Sequence, residues 1–168
     1  MNINEFAVGA LENAYRLVTM SVDGLTDVEM MFQPKPGLNH AKWLLGHAID
    51  SENGLILSLC KGENLLPKGW HEKYGIGSKP SANADDYPSK TEMLALLAKV
   101  HAAAVAYVKG LSAEAFDARP QGLDRMPERA RELFATVGKC VWGHVTHAAG
   151  HAAQIAMIRR LLGKPPRV

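Results

Sequence analysis

The chain has 168 residues, 47% hydrophobic and 21% charged, with 19 Lys and Arg against 17 Asp and Glu for a net charge of +2. That is the length of one domain, spanning 1–168, with enough chain to bury a real core, and its scattered, nearly balanced charge argues against nucleic acid as a partner. No apolar run approaches the roughly 20 residues of a membrane span, and the start "MNINEFAVGA" lacks a basic n-region, so neither a membrane partner nor a secretory signal is expected.

Apolar periodicity is helical throughout, with no sustained strand-type alternation. A first helix is predicted over residues 4–20, with Phe6, Ala10, Leu11, Ala14, Leu17 and Val18 on one face. Thr26 and Glu29 have the capping-box spacing and open a short turn of helix, which "QPKPG" ends. Asn39 is the expected N-cap of a second helix over 39–61, stopped by Gly62. Residues 62–88 then form a long connection with four glycines and three prolines, long enough to act as a crossover. It carries Trp70, His71, Tyr74 and Tyr87, which suit a packed Ω-loop, a cover over a site or a dimer contact.

Ser89 and Glu92 form another capping box and open a third helix over 89–109. The fourth is predicted over 138–162, ending at Gly163 before two prolines, and the basic tail "RRLLGKPPRV" reads as a solvated C-terminus. Cys60 and Cys140 fall within apolar helical patterns and read as reduced core thiols of a cytoplasmic protein. The expected fold is therefore all-α: a four-helix bundle, up-down-down-up, with the long crossover between helices two and three.

The fourth helix carries "HVTHAAGHAAQI", in which His144, His147, His151 and Gln154 share one side of the helix. The same side continues to Ile158 and Leu161, which predicts a core-facing seam. Burying neutral imidazoles costs a few kcal/mol each unless they find partners, and a metal ion satisfies several at once. His147 and His151 are four apart, about 6 Å along the axis, and can chelate one ion; the pair His144 and His147 has a spacing that also permits it. His144 and His151, about 10 Å apart along the axis, cannot share an ion. A third ligand must come from another helix. His47, on the inward face of the second helix with Trp43, Leu44 and Ser51, fits, and Gly46 leaves room beside it. Asp50, one turn later, could bind the ion, orient a ligand or pair with a Lys. His40 near the helix start suits a capping or solvated role, and His101 suits a satisfied core residue. Three histidines leave a coordination position open, as catalytic sites do. Zn, Ni, Fe and Mn all accept imidazole-rich ligation.

At "LLGHAIDSE", "YPSKTEML" and "HAAGHAAQIAMIRRLLG" the sequence resembles the DinB/YfiT-like superfamily of metalloenzymes. The resemblance implies that His47, His147 and His151 bind a divalent metal, commonly zinc or nickel, with Gln154 in support. His144 is the reserve ligand and, with Asp50, a candidate for moving a proton. Many relatives read "HHRGQ" where this chain has "GHAAQ", so Gly150 and Ala152 depart from the pattern. Relatives of known activity include thiol-dependent transferases and isomerases. The expectation is a metal-dependent enzyme acting on a small molecule, an S-transferase using a low-molecular-weight thiol. A hydrolase and a non-catalytic metal-binding bundle are the rivals. Many family members look dimeric, so a homodimer is expected.

Overall fold

In the computed structural model, which describes residues 2–167, every regular element is helical. Four long elements dominate. Helix α1 (Ile3–Val22) opens on a capping box between Asn2 and Glu5, and α5 (Lys90–Lys109) on the predicted one between Ser89 and Glu92. Helix α3 (Ala41–Glu52) runs directly into a π-helix (Asn53–Lys61), and α7 (Val137–Leu161) closes the chain. Helix α1 packs on α5 and α7, and α3 packs on the same two, so the core lies among all four. Three short helices, α2 (Asp27–Met30), α4 (Trp70–Tyr74) and α6 (Glu128–Arg131), sit in the connections.

Two local expectations change. The buried row of α1 is Ala7, Leu11, Ala14 and Val18, a heptad-like seam; Phe6 lies one residue to its side and is 66% exposed. The second helix is capped by His40 rather than Asn39: the His40 Nδ1 lone pair accepts the Trp43 amide at 3.1 Å while Nε2–H donates to the Ser81 carbonyl at 3.0 Å. The tail is exposed over most of its described residues, as expected, but is anchored at its start. Arg159 is buried and donates to the carbonyls of Ser21, Asp23 and Pro165, serving the orphan acceptors at the end of α1.

The stretch Ala84–Lys109 has the length and mean hydropathy, 1.3, of a membrane-crossing helix, alone in this among the described residues. Its row Met93, Leu97, Val100, Ala104 and Val108 is buried, and α5 packs on α1 and α3 as a core helix does. Cys60 and Cys140 are buried free thiols in one apolar cluster between the π-helix and α7; the Cys60 thiol donates to the Leu55 carbonyl at 3.1 Å and the Cys140 thiol to the Phe134 carbonyl at 3.6 Å.

Candidate metal centre

Every residue of α3 from Ala41 to Asp50 is buried, so its polar side chains must find partners within the protein. A Cβ on Gly46 would meet the Tyr74 ring at 2.2 Å; glycine there lets α4 lie directly on α3. Trp70 Nε1–H donates to the Gly46 carbonyl at 3.2 Å and Trp43 Nε1–H to the Lys73 carbonyl at 3.1 Å, fixing α4 in place. The result is a carbonyl, that of Tyr74, set 2.5 Å from His47 Nδ1, with the imidazole stacked on Trp43.

From α7, His147 and His151 bring their Nε2 atoms together at 3.0 Å, and His47 Nε2 lies 3.1 Å from His147 Nε2. One ligand atom from each of the three lies within 4.8 Å of the others. The protons decide what this cluster can do. Tyr74 O and Gln154 Oε1, 2.9 Å from His151 Nδ1, only accept, so both Nδ1 atoms carry hydrogen. The Nε2 atoms of His47 and His151 are therefore bare lone pairs, both aimed at His147. A neutral His147 has one N–H and can satisfy only one of them. Its Nδ1 is buried with no hydrogen-bond partner. A shared cation satisfies all three lone pairs, and a three-nitrogen donor set suits a divalent metal. Burial, reinforced by the neighbouring histidines, holds His147 down to about pKa 3; burial also lowers His47 and His151, keeping the three imidazoles in the ligating form.

The cluster is not sealed. His47 and His147 form one end of a cavity of about 360 Å³, within the size range of small-molecule sites. The π-helix supplies one wall through Asn53, Leu55, Ser58 and Leu59, as such segments often do at functional sites. His71 and Ile76 line it from the long connection, and Arg125, Met126 and Phe134 from the segment before α7. A Cβ on Gly143 would meet the Phe134 ring at 2.7 Å, so glycine lets that ring cover α7.

The predicted seam on α7 divides in two. His144 is 2% exposed in the core, whereas His147 and His151 are half-buried at its edge and Gln154 and Leu161 are exposed. His144 stands outside the cluster. Its Nδ1 is 3.2 Å from Ser51 Oγ and its Nε2 3.8 Å from Glu52 Oε2, and burial lowers its pKa. Glu52, 1% exposed, accepts from His101 Nδ1 at 2.8 Å, and His101 stacks on Tyr15. With the neutral His144 turning Nε2–H toward Glu52, its Nδ1 accepts the Ser51 hydroxyl proton. Ser51, a cavity residue, then presents only lone pairs to a ligand. Asp50 pairs with His71 at 3.0 Å, not with a Lys. The residues missed from sequence are the Tyr74 carbonyl, Glu52 and Arg125; Glu52 sits in the polar stretch "DSEN", where nothing local marks it as a core residue.

The fold and the cluster together define an all-helical protein with a three-imidazole centre open to a small-molecule cavity. The chain belongs to the DinB superfamily, whose family profile matches residues 10–155. A solved structure of a conserved protein from Enterococcus faecalis is similar in fold, with a TM-score of 0.72 at 18% identity over 98% of this chain and 99% of that one. None of the curated proteins compared with the chain matches it.

Proposed function

We propose that the protein is a divalent-metal-dependent enzyme acting on a small molecule, with His47, His147 and His151 as the metal ligands. The observation that carries this reading is the convergence of three Nε2 atoms, two of them stripped of protons by Tyr74 and Gln154, at the end of a cavity. Zinc or nickel is the ion we favour, iron or manganese the alternatives. The ion's contribution is Lewis acidity, which lowers the pKa of a bound water or thiol. The chain's own residues do the rest. Tyr74 and Gln154 orient two ligands, Ser51 offers an acceptor oxygen, and the apolar walls limit water. We favour transfer involving a low-molecular-weight thiol, with metal-dependent hydrolysis as the rival; in either, Ser51 and His144 are the groups placed to move a proton, while Asp50 holds His71. We also propose that α1, α3 with its π-helical continuation, α5 and α7 form an up-down-down-up bundle, supported by their mutual packing and by a connection between the second and third of these that is long enough to act as a crossover.

Elemental analysis of protein purified without a nickel column should find about one metal ion per chain, lost in His147→Ala and kept in His144→Ala. Loss in His144→Ala with retention in His147→Ala would overturn the ligand assignment. In the cobalt-loaded protein, azide or a small thiol should alter the visible spectrum; an unresponsive spectrum would mark a closed, structural site.

A further inference from the structure

The metal reading leaves open what the cavity holds, and its walls carry a specific asymmetry. Among the described residues that line it, Arg125 is the one permanently charged side chain; no Asp, Glu or Lys lines it, and His71 is already paired with Asp50. The rest of the lining is chiefly apolar, with Leu55, Leu59, Met126 and Phe134.

Arg125 is exposed to solvent, but its guanidinium is held in place. Its Nη2 donates to the Ser58 carbonyl at 2.7 Å, and the guanidinium lies against Gly122, where a Cβ would meet Nη2 at 2.3 Å. Gly122 is itself tied to the π-helix by its amide, which donates to the Leu59 carbonyl at 2.9 Å. The adjacent acid, Asp124, is engaged by Arg119 at 2.6 Å. No carboxylate among the described residues lies within ion-pair distance of Arg125. A guanidinium has five N–H donors, and most of these have no protein acceptor. Asn64 also lines the cavity: its Oδ1 accepts from Asn53 and the Leu66 amide, and its NH2 remains available to a ligand or to solvent.

We propose that Arg125 is the specificity-determining residue of this cavity and that the ligand is a small apolar monoanion, a carboxylic acid with a hydrocarbon or aromatic body. The body lies on the apolar walls and the carboxylate meets Arg125. One guanidinium in an apolar lining favours a single negative charge over a dianion, and it disfavours a cation by like-charge repulsion and desolvation. The proposal rests on the reading of this cavity as the ligand pocket of the metal centre, and its test separates the two.

The test is calorimetric binding of phenylbutyrate, phenylbutanol and phenylbutylamine to the protein as purified and to Arg125→Gln, Arg125→Lys, Gly122→Ala and His147→Ala. The acid should bind about tenfold more tightly than the alcohol, as a charge-assisted hydrogen bond gives, and the amine most weakly. Arg125→Gln should erase the preference for the acid while the alcohol binds unchanged. Arg125→Lys should keep part of it, and Gly122→Ala, which displaces the guanidinium, should reduce it. In His147→Ala the preference should survive. If the acid and alcohol bind alike, or if neither binds, the proposal fails. It fails equally if Arg125→Gln retains the preference while His147→Ala loses it, because the anion then sits on the metal; that result would leave the metal reading standing.

Discussion

His47 and Tyr74 are joined across 27 positions of sequence by a hydrogen bond of 2.5 Å from an imidazole Nδ1–H to a backbone carbonyl. The bond exists because Gly46 yields its side-chain space to the Tyr74 ring. Gly46→Ala should therefore act on the centre from outside it. Forcing a methyl into the buried ring should cost about 1–3 kcal/mol of stability. By shifting α4 it should also weaken metal binding about 10–100-fold, as loss of an orienting partner does. Chelator competition and urea denaturation on the same preparation check both effects. A variant that loses stability but keeps its metal affinity would show that the Tyr74 carbonyl does not tune His47.

His40 gives a pH dependence that can be read apart from the centre. Its Nδ1 must be unprotonated to cap α3, and burial lowers its pKa from 6.5. Because the folded-state pKa is the lower one, the unfolded chain binds the proton first. Stability is thus fully present above pH 6.5 and declines as pH falls below it. His47, His144, His147 and His151, whose pKa values burial also lowers, push in the same direction, so the informative quantity is a difference. His40→Asn keeps a capping acceptor without the titration and should flatten the decline, while His40→Ala should cost about 1 kcal/mol at neutral pH. Urea midpoints measured from pH 7.5 to pH 5 in the absence of metal test this, and parallel slopes for wild type and His40→Asn would refute it.

These two relationships also mark how far the sequence alone reaches. The four long helices were legible because their signals are local: the Ser89 and Glu92 capping box, Gly62 and Gly163 at positive φ, and an apolar period near 3.6. His47, His147 and His151 were legible because helical spacing and an unusual residue type coincide. The switch from α3 to a π-helix was not, since Asn53 is tied across the loop to Asn64 and the Leu65 amide, contacts no local pattern encodes. The Tyr74 carbonyl was invisible for a plainer reason: a backbone acceptor has no signature in the residue that carries it. Arg125 was one of 19 basic residues until folding laid its segment along the cavity.

Glu52 is a carboxylate in the core with two histidine partners and no Lys or Arg in contact among the described residues. Glu52→Gln keeps the volume but replaces the charged acceptor for His101 with a neutral one, and should cost about 1–3 kcal/mol. Glu52→Leu, which strands both imidazoles, should cost more. Neither residue lies in the three-imidazole cluster, so metal content should stay at the wild-type level in Glu52→Gln. A stoichiometric loss of metal in that variant would mean that the Glu52 contacts with His101 and His144 support the centre from the core.

Gln154 offers the cleanest separation of metal affinity from stability. It is exposed, and its contact within the centre is Oε1 accepting from His151 Nδ1–H at 2.9 Å. Without that acceptor the imidazole can take the other tautomer, placing its hydrogen on Nε2, where the lone pair is needed. Gln154→Ala should therefore leave the melting temperature of the metal-free protein nearly unchanged, since exposed substitutions usually stay within about 0.5 kcal/mol. Metal affinity should fall about 10–100-fold, measured by competition with a chromophoric chelator. Gln154→Glu restores an acceptor, now charged, and should recover or exceed wild-type affinity. Equal affinity in wild type and Gln154→Ala would show that His151 holds its tautomer without help, and the case for two pre-set lone pairs would reduce to His47 alone.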